Sequence, residues 1–507
     1  MCDTILQNYN LKYVIRSFAE SDPAATAILS SKYDPLTYSQ LIKQIDYVAG
    51  MLKQSGFGKS ARIGIAVKDA APAALAIISI ACSAVAVPLD QNLAEAEIEM
   101  RMKLLSIDAV CVLSGQTTVA GIIAERLGIE VIELISKNKN ELGFSMSSPK
   151  NKVGTLHDPT MECMAVILQT SGTTAEPKLV PCLHSGLLAT AEHVRGWFSL
   201  GKNDRCLSVA PPCFSQGLTL TILAPLLSGG SVAFPSNPNC VDIMEWFEKL
   251  SPTWFSAVPT MLLAVSEMLA SYNAELRHRL RFVTYGGGGL PESVRSCLQS
   301  SLGIDILEHY GTTETGQISA NLASPGQHKS GTVGIPPAGT VMVVSGREEK
   351  LPQGEQGEII VCGPNVMPGY LNGRMMNEKA FHQGWFRTGD IGSIDKDGFL
   401  TIRGRIKEVI NRGGEKISPY EVEATMLKHS DIVEAAAFAV PHPRLGEDVA
   451  AAVVLRNGAA LSADEFRSFM SARLSWSKVP RRVHIVKSIP KGPGGKVQRN
   501  RLGELLS

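Results

Sequence analysis

A chain of 507 residues is too long for one hydrophobic core, so two or more domains are expected. Apolar residues make up 44% and charged residues 19%, ordinary globular values, and the net charge of +1 with no long basic run gives no reason to expect a nucleic-acid partner. The ten cysteines stand singly with no C-x-x-C pair, which argues against a zinc ribbon or thioredoxin motif and for a reducing compartment, the cytoplasm.

The N-terminus MCDTILQNYN has neither a basic n-region nor a long apolar core, so no secretory leader is expected, and the final Glu504-Leu505-Leu506-Ser507 is not a peroxisomal Ser-Lys-Leu. Thr37-Tyr38-Ser39-Gln40 is a capping box opening a helix. Ala61–Val67 reads as a strand, Ala71–Ala84 as a buried helix and Val85–Leu89 as a strand. The apolar stretch Ala73–Val87 is too short and too rich in Ala and Ser to span a bilayer. Ala109–Leu113, Val131–Ile135 and Met164–Leu168 continue the strands, and this alternation predicts an α/β architecture with largely parallel sheet. From Val333 short strands among glycines and prolines (Val341–Val344, Gly357–Cys362, Phe399–Ile402) predict a β-rich subdomain. After Gly404 a compact α+β unit is expected: a capping box at Ser418–Glu421 with Pro419 at the first helical position, strands at Val433–Val440 and Val449–Leu455, a helix capped by Ser462 and a strand at Val483–Val486. The expected organisation is therefore a large domain over 1–403 and a smaller one over 404–507.

The predicted strand Met164–Leu168 runs into Thr170-Ser171-Gly172-Thr173-Thr174-Ala175, then Pro177-Lys178. Small residues let backbone N–H groups converge on an anion, hydroxyls add donors and a lysine adds charge, which suggests phosphate. The common phosphate loop closes with Gly-Lys-Ser/Thr and opens a helix; here Pro177 precedes the lysine and extended chain follows. A polar surface turn has the same composition, so the stretch alone leaves both readings open.

Four further stretches add to it: Tyr285-Gly286-Gly287-Gly288-Gly289-Leu290-Pro291; His309-Tyr310-Gly311-Thr312-Thr313-Glu314; Gly384-Trp385-Phe386-Arg387-Thr388-Gly389-Asp390 with Gly404-Arg405-Ile406-Lys407-Glu408; and Gly494-Gly495-Lys496. Singly, Glu314 reads equally as a solvated acid, Asp390 as a turn residue and Lys496 as a surface lysine. Together and in this order, from Leu36-Thr37-Tyr38 to Lys496, they resemble the adenylate-forming superfamily of acyl-CoA synthetases, firefly luciferase and peptide-synthetase adenylation domains. Val409–Pro419 is similar to the CoA ligases, and the chain as a whole looks most like the branch that holds oxalate–CoA ligase and the 4-coumarate–CoA ligase-like enzymes.

The resemblance implies a carboxylate–CoA ligase using ATP, Mg²⁺ and CoA: a carboxylate attacks the α-phosphorus, pyrophosphate leaves, and a thiol then takes the acyl group from AMP. It implies that Thr170, Ser171, Gly172, Thr173, Thr174 and Lys178 wrap the ATP phosphates, with Ala175 where the family usually has glycine. Thr313 would bind the α-phosphate and Glu314 hold Mg²⁺; Gly287, Gly288, His309 and Tyr310 would frame adenine; Asp390 and Arg405 would reach the ribose. Lys496 would bridge the carboxylate and α-phosphate, and Lys407 would be the hinge of a swinging C-terminal domain.

By the same resemblance Phe214, Gln216, Trp254, Gly286, Gly311 and Gln317 line the acyl pocket, Ser256 lying in the same stretch as Trp254. Phe214, Gln216 and Gln317 stand where an oxalate-activating enzyme is expected to carry histidines, so a second carboxylate lacks a cationic partner and a monocarboxylate is expected. Gly311 stands where acetate enzymes place a tryptophan, which points to an acid larger than acetate. Phe214 and Trp254 also read as core aromatics that never touch a ligand. Two other functions stay open: a stand-alone adenylation enzyme that loads a carrier protein, and an inactive nucleotide-binding scaffold.

Overall fold

The computed structural model of the chain describes residues 9–136, 138–147, 159–170, 177–237, 242–271, 276–323, 326–456, 458–492 and 497–506. Two mixed sheets form its larger part. The first has seven strands, in the order Phe144–Met146, Glu130–Ser136, Ala109–Leu113, Arg62–Ile65, Val85–Pro88, Met164–Thr170, Lys178–Leu183; its five inner strands are parallel and both edges antiparallel. All five residues of Ala109–Leu113 are buried, as expected of a parallel strand covered on both faces. The five strands expected between Ala61 and Leu168 all lie here, with ends within two residues of expectation.

The second sheet has eight strands, in the order Gly316–Ala320, Asp305–Thr312, Phe282–Tyr285, Trp254–Ala257, Arg205–Ser208, Ser231–Phe234, Thr26–Ser30, Leu36–Thr37, again parallel inside and antiparallel at both edges. The main core joins the two sheets: Ile63, Ala86 and Val166 of the first and Val232, Trp254 and Phe282 of the second belong to one buried cluster. Helix Ala70–Ala81 runs through it with eleven of its twelve residues buried, so it carries apolar residues on every face. Among the described residues, no helix is long and apolar enough to cross a membrane.

Strands Val341–Val344, Gly357–Val361, Trp385–Ile394, Phe381–His382 and Leu400–Arg405 form an antiparallel sheet, the expected β-rich subdomain. A 3₁₀ turn, Ile406–Glu408, leads from it to the last sheet of Glu415–Ile417, Ile410–Arg412, Gly446–Leu455 and Ile432–His442, with Arg482–Ile485 added in parallel. The capping boxes at Thr37–Gln40 and Ser462–Glu465 form. The one expected at Ser418 does not: its hydroxyl donates to the Arg403 carbonyl, while Glu421 accepts from Lys478 Nζ at 2.7 Å, so neither side chain is left to cap the helix Pro419–Met426.

Candidate active site

Lys178 opens the edge strand Lys178–Leu183 opposite Thr170. Residues 171–176, including Ser171, Gly172, Thr173, Thr174 and Ala175, lie outside the described residues, as does Lys496. Both ends of the loop are described: Thr170 and Lys178 are half-buried. The segment after residue 363 is stitched to this strand: Leu371 N–H donates to the Leu179 carbonyl at 3.1 Å, Leu179 N–H to Asn372 Oδ1 at 3.2 Å, and Asn372 Nδ2 to the Pro177 carbonyl at 3.0 Å.

Glu314 stands at the tip of the hairpin between Asp305–Thr312 and Gly316–Ala320. The tip is pinned from outside, because Met367 N–H donates to the Glu314 carbonyl at 2.8 Å and Asn365 Nδ2 to the Thr315 carbonyl at 2.7 Å. Gly316 has φ +60° and a Cβ there would come within 2.3 Å of Thr190 Oγ1, so the turn takes only glycine. Thr313 and Glu314 face a cavity shared with Ser215, Thr219, Asn365 and Met367. The Tyr370 phenol donates to Glu314 Oε1 at 2.8 Å and accepts from Lys178 Nζ at 3.0 Å. Burial pushes Lys178 below the usual lysine range, against the pull of Glu314 and with the repulsion of Lys407 and Arg405, so these four charges share one field.

Asp390 is 3% exposed and lies on the strand Trp385–Ile394 directly across from Arg405. Its Oδ1 pairs with Arg405 Nε at 2.8 Å and its Oδ2 accepts from the Tyr310 phenol at 2.6 Å. Burial first and Asp390 second push Tyr310 well above the usual phenol range, which keeps it a donor. The glycine turn follows the strand Phe282–Tyr285: Gly287 has φ +82°, a Cβ at Gly288 would make ordinary contact with Pro259 at 3.7 Å, and Gly289 has open space where a side chain would stand.

Gln216 and Gln317, both expected at the acyl pocket, are linked through Ser256 and His309 by hydrogen bonds. Gln216 Nε2 donates to Ser256 Oγ at 3.0 Å, Ser256 Oγ lies 3.4 Å from His309 Nε2, and His309 Nδ1 lies 2.9 Å from Gln317 Oε1. A carboxamide oxygen only accepts, so Nδ1 carries the proton and Nε2 accepts from Ser256. Burial pushes the imidazole down to about 4, so it is neutral at pH 7. Gln216 is the first residue of a π-helical segment, Gln216–Leu223, and Gly217 behind it packs so close to the Pro211 carbonyl that no Cβ fits.

Three of the expected site residues have close neighbours of their own. His309, expected at adenine, hydrogen-bonds Ser256 and Gln317, and it lies over Gly286, where a Cβ would come within 2.5 Å of the ring. Trp254 is fully buried and stacks on Phe282 with ring centroids 5.5 Å apart, so it belongs to the core. Gly311 faces the Gly316 carbonyl and Gln317 Oε1, so the space its missing side chain leaves is filled by its own hairpin, and the size argument cannot rest on it. Phe214 is half-buried just before the π-helical segment. Tyr370 and Asn372 went unnoticed in the sequence, where Pro368-Gly369-Tyr370-Leu371-Asn372 reads as one more glycine-proline turn.

The model of the AMP-binding enzyme family matches residues 15–371, and that of the AMP-binding enzyme C-terminal domain matches residues 421–496. A probable CoA ligase of Humulus lupulus is 31% identical over 98% of this chain and 96% of its own. An oxalate–CoA ligase of Saccharomyces cerevisiae is 33% identical over 83% of this chain and 82% of its own. The crystal structure of ATP-bound MatB from Rhodopseudomonas palustris superposes with a TM-score of 0.86 at 25% identity, covering 98% of both chains. With a family model over most of its length and these relatives along the rest, the chain belongs to the AMP-binding, adenylate-forming enzyme family.

Proposed function

We propose that the site described above activates a carboxylic acid with ATP and passes the acyl group to the thiol of CoA. The chain is an AMP-forming acid–thiol ligase. What supports this site assignment most is that Lys178, Tyr370 and Glu314 are hydrogen-bonded in line, within electrostatic reach of Arg405 and Lys407. A carboxylate and ATP are both anionic, so the first step needs cations fixed around the phosphates, and those residues supply them. Asp390, held between Tyr310 and Arg405, presents a fixed carboxylate to ribose hydroxyls.

Glu314 and Thr313 are suited to Mg·ATP. Among the described residues no three His, Cys, Asp or Glu side chains gather, and magnesium takes one or two carboxylates together with substrate phosphates and water. When bound, Mg²⁺ supplies positive charge against the phosphate oxygens. Lys496 would bridge the two reacting anions, and residues 404–507 would turn at Lys407 to withdraw it before the thiol enters. The cytoplasm suits buried free thiols such as Cys111 and Cys206.

The acyl set decides the acid. Gln216, Ser256, neutral His309 and Gln317 offer no cation, so a second carboxylate buried there would be unpaired and costly. The site should therefore take a monocarboxylate, unlike the dicarboxylate in the yeast relative's name, and a feruloyl-CoA synthase of Amycolatopsis among the relatives favours an acid larger than acetate. Carboxylate-dependent exchange of pyrophosphate into ATP, across acetate, oxalate, medium-chain and aromatic acids, tests this. Exchange with a larger monocarboxylate is expected; exchange with oxalate alone would refute the acyl-site reading, and no exchange with any acid would refute the enzyme assignment. Release of the acyl group to CoA and not to a phosphopantetheinylated carrier settles the acceptor.

A further inference from the structure

We infer that Tyr370 is a positioning residue that keeps Lys178 and Glu314 apart, so that one stays free for phosphate and the other for a divalent cation. This rests on the functional reading above. The two charges arrive from different sheets, Lys178 from the edge of the seven-stranded one and Glu314 from the hairpin at the edge of the eight-stranded one. Opposite charges brought together in a half-buried site close into a direct ion pair unless something intervenes. Here a phenol intervenes: it accepts from Lys178 Nζ at 3.0 Å and donates to Glu314 Oε1 at 2.8 Å. Its ring also carries the ammonium, with Nζ 4.6 Å from the centroid.

The phenol is fixed independently of both charges. Its ring packs with Val180, Met367 and Phe386. Tyr370 N–H donates to Asn377 Oδ1 at 2.7 Å, and Asn377 Nδ2 returns a bond to the Tyr370 carbonyl at 2.9 Å. Gly369 has φ +143° and lies against the Asn377 amide, which lets the chain make this approach. A tyrosine phenol is neutral at pH 7, so it donates to Glu314 without adding a charge of its own. A neutral two-way hydrogen-bonding group can hold a cation and an anion at fixed separation without neutralising either, which a third charge cannot.

Tyr370→Phe keeps the ring and removes the hydroxyl. The test is calorimetric binding of ATP with Mg²⁺ and with EDTA, read as the ratio of the two dissociation constants. In wild type Mg²⁺ should tighten binding. In Tyr370→Phe, Lys178 closes on Glu314 and the Mg²⁺ ratio should fall about tenfold, as expected for losing a hydrogen bond to a charged group. Adding Lys178→Met to Tyr370→Phe should weaken ATP overall yet restore the ratio, because the carboxylate is released. An unchanged ratio in Tyr370→Phe, or no recovery in the double variant, would overturn the spacer role. Wild-type protein that binds no ATP at all would overturn the functional reading and the spacer with it.

Discussion

The two halves of the site are built on opposite electrostatic plans. On the proposed nucleotide side the central residues are charged, Lys178, Glu314, Asp390 and Arg405, with the neutral Tyr370 as a strut between Lys178 and Glu314 and the neutral Tyr310 donating to Asp390. On the acyl side Gln216, Ser256, His309 and Gln317 form a closed run of neutral hydrogen bonds. One half can pull on a polyanion; the other can only shape and seal. Under the proposed function, chemistry common to a whole family would need the first, whereas the second would carry the choice of acid.

Substitutions on the two sides should therefore separate in what they change. Lys496→Ala should have the largest effect, slowing adenylation by about 10²–10³-fold, as removal of one group that stabilises transition-state charge does. Thioester formation from supplied acyl-adenylate should persist, and equal loss in both half-reactions would dismiss the assigned role. Asp390→Ala comes next: it removes the groups' shared acceptor, hydrogen bonds to a charged partner being worth roughly 1.5–3 kcal/mol each. The ATP KM should rise at least about tenfold while the KM for the acid stays put. A matched rise in both would blur the division between the halves.

Gln216→Leu should act in the opposite sense, raising the acid's KM about three- to tenfold with the ATP KM unchanged, because it leaves Ser256 without its donor. Steady-state kinetics with each substrate varied in turn distinguishes it from Asp390→Ala. The smallest effect concerns Glu308, the neighbour of His309 that takes a hydrogen bond from the Tyr285 phenol at 2.9 Å. Burial pushes its carboxyl from 4.5 up to about 7, the Tyr285 bond opposing. The folded chain thus holds a proton that the unfolded chain has released over that window, so stability falls as pH rises from about 4.5 to about 7. Glu308→Gln should flatten that fall, a difference of roughly 1–3 °C in Tm between pH 5 and pH 8, read by thermal melts. Parallel melting curves for the two proteins would remove Glu308 from the account.

The residues of the proposed nucleotide half were named through the resemblance: singly they read as a solvated acid or turn residues, and only the order of the glycine-rich stretches that hold them set them apart. Glu314, Asp390 and Arg405 came to notice in that way, and the parallel inner strands of the two large sheets announce themselves as apolar runs. Tyr310 was named, for adenine, but Tyr370 was not legible. A single tyrosine in a glycine-proline turn has no period, and only the folded chain brings Tyr370 between two charges nearly 200 and 60 residues away in sequence. The acyl half was half legible. Gln216 and Gln317 were named, but Trp254 and Ser256, two residues apart on one strand, share a face and still differ in role, one in the core and one in the network. The π-helical turn that delivers Gln216 gives no sign in an apolar run that would fit an α-helix as well.

The stitching of residues 371 and 372 to the strand Lys178–Leu183 has a consequence for how the chain comes to be folded. That strand is the border of the seven-stranded sheet, and an uncovered border invites another chain to add itself. Pro181 within it already denies a newcomer one donor, and Asn372 and Leu371 occupy part of the rest. The cover is made almost 200 residues after the strand it protects. During synthesis the sheet's border therefore stands open for the time the ribosome takes to add those residues, on the order of 10–40 s at the usual rate of elongation, and chains cut short before Tyr370 keep it open for good.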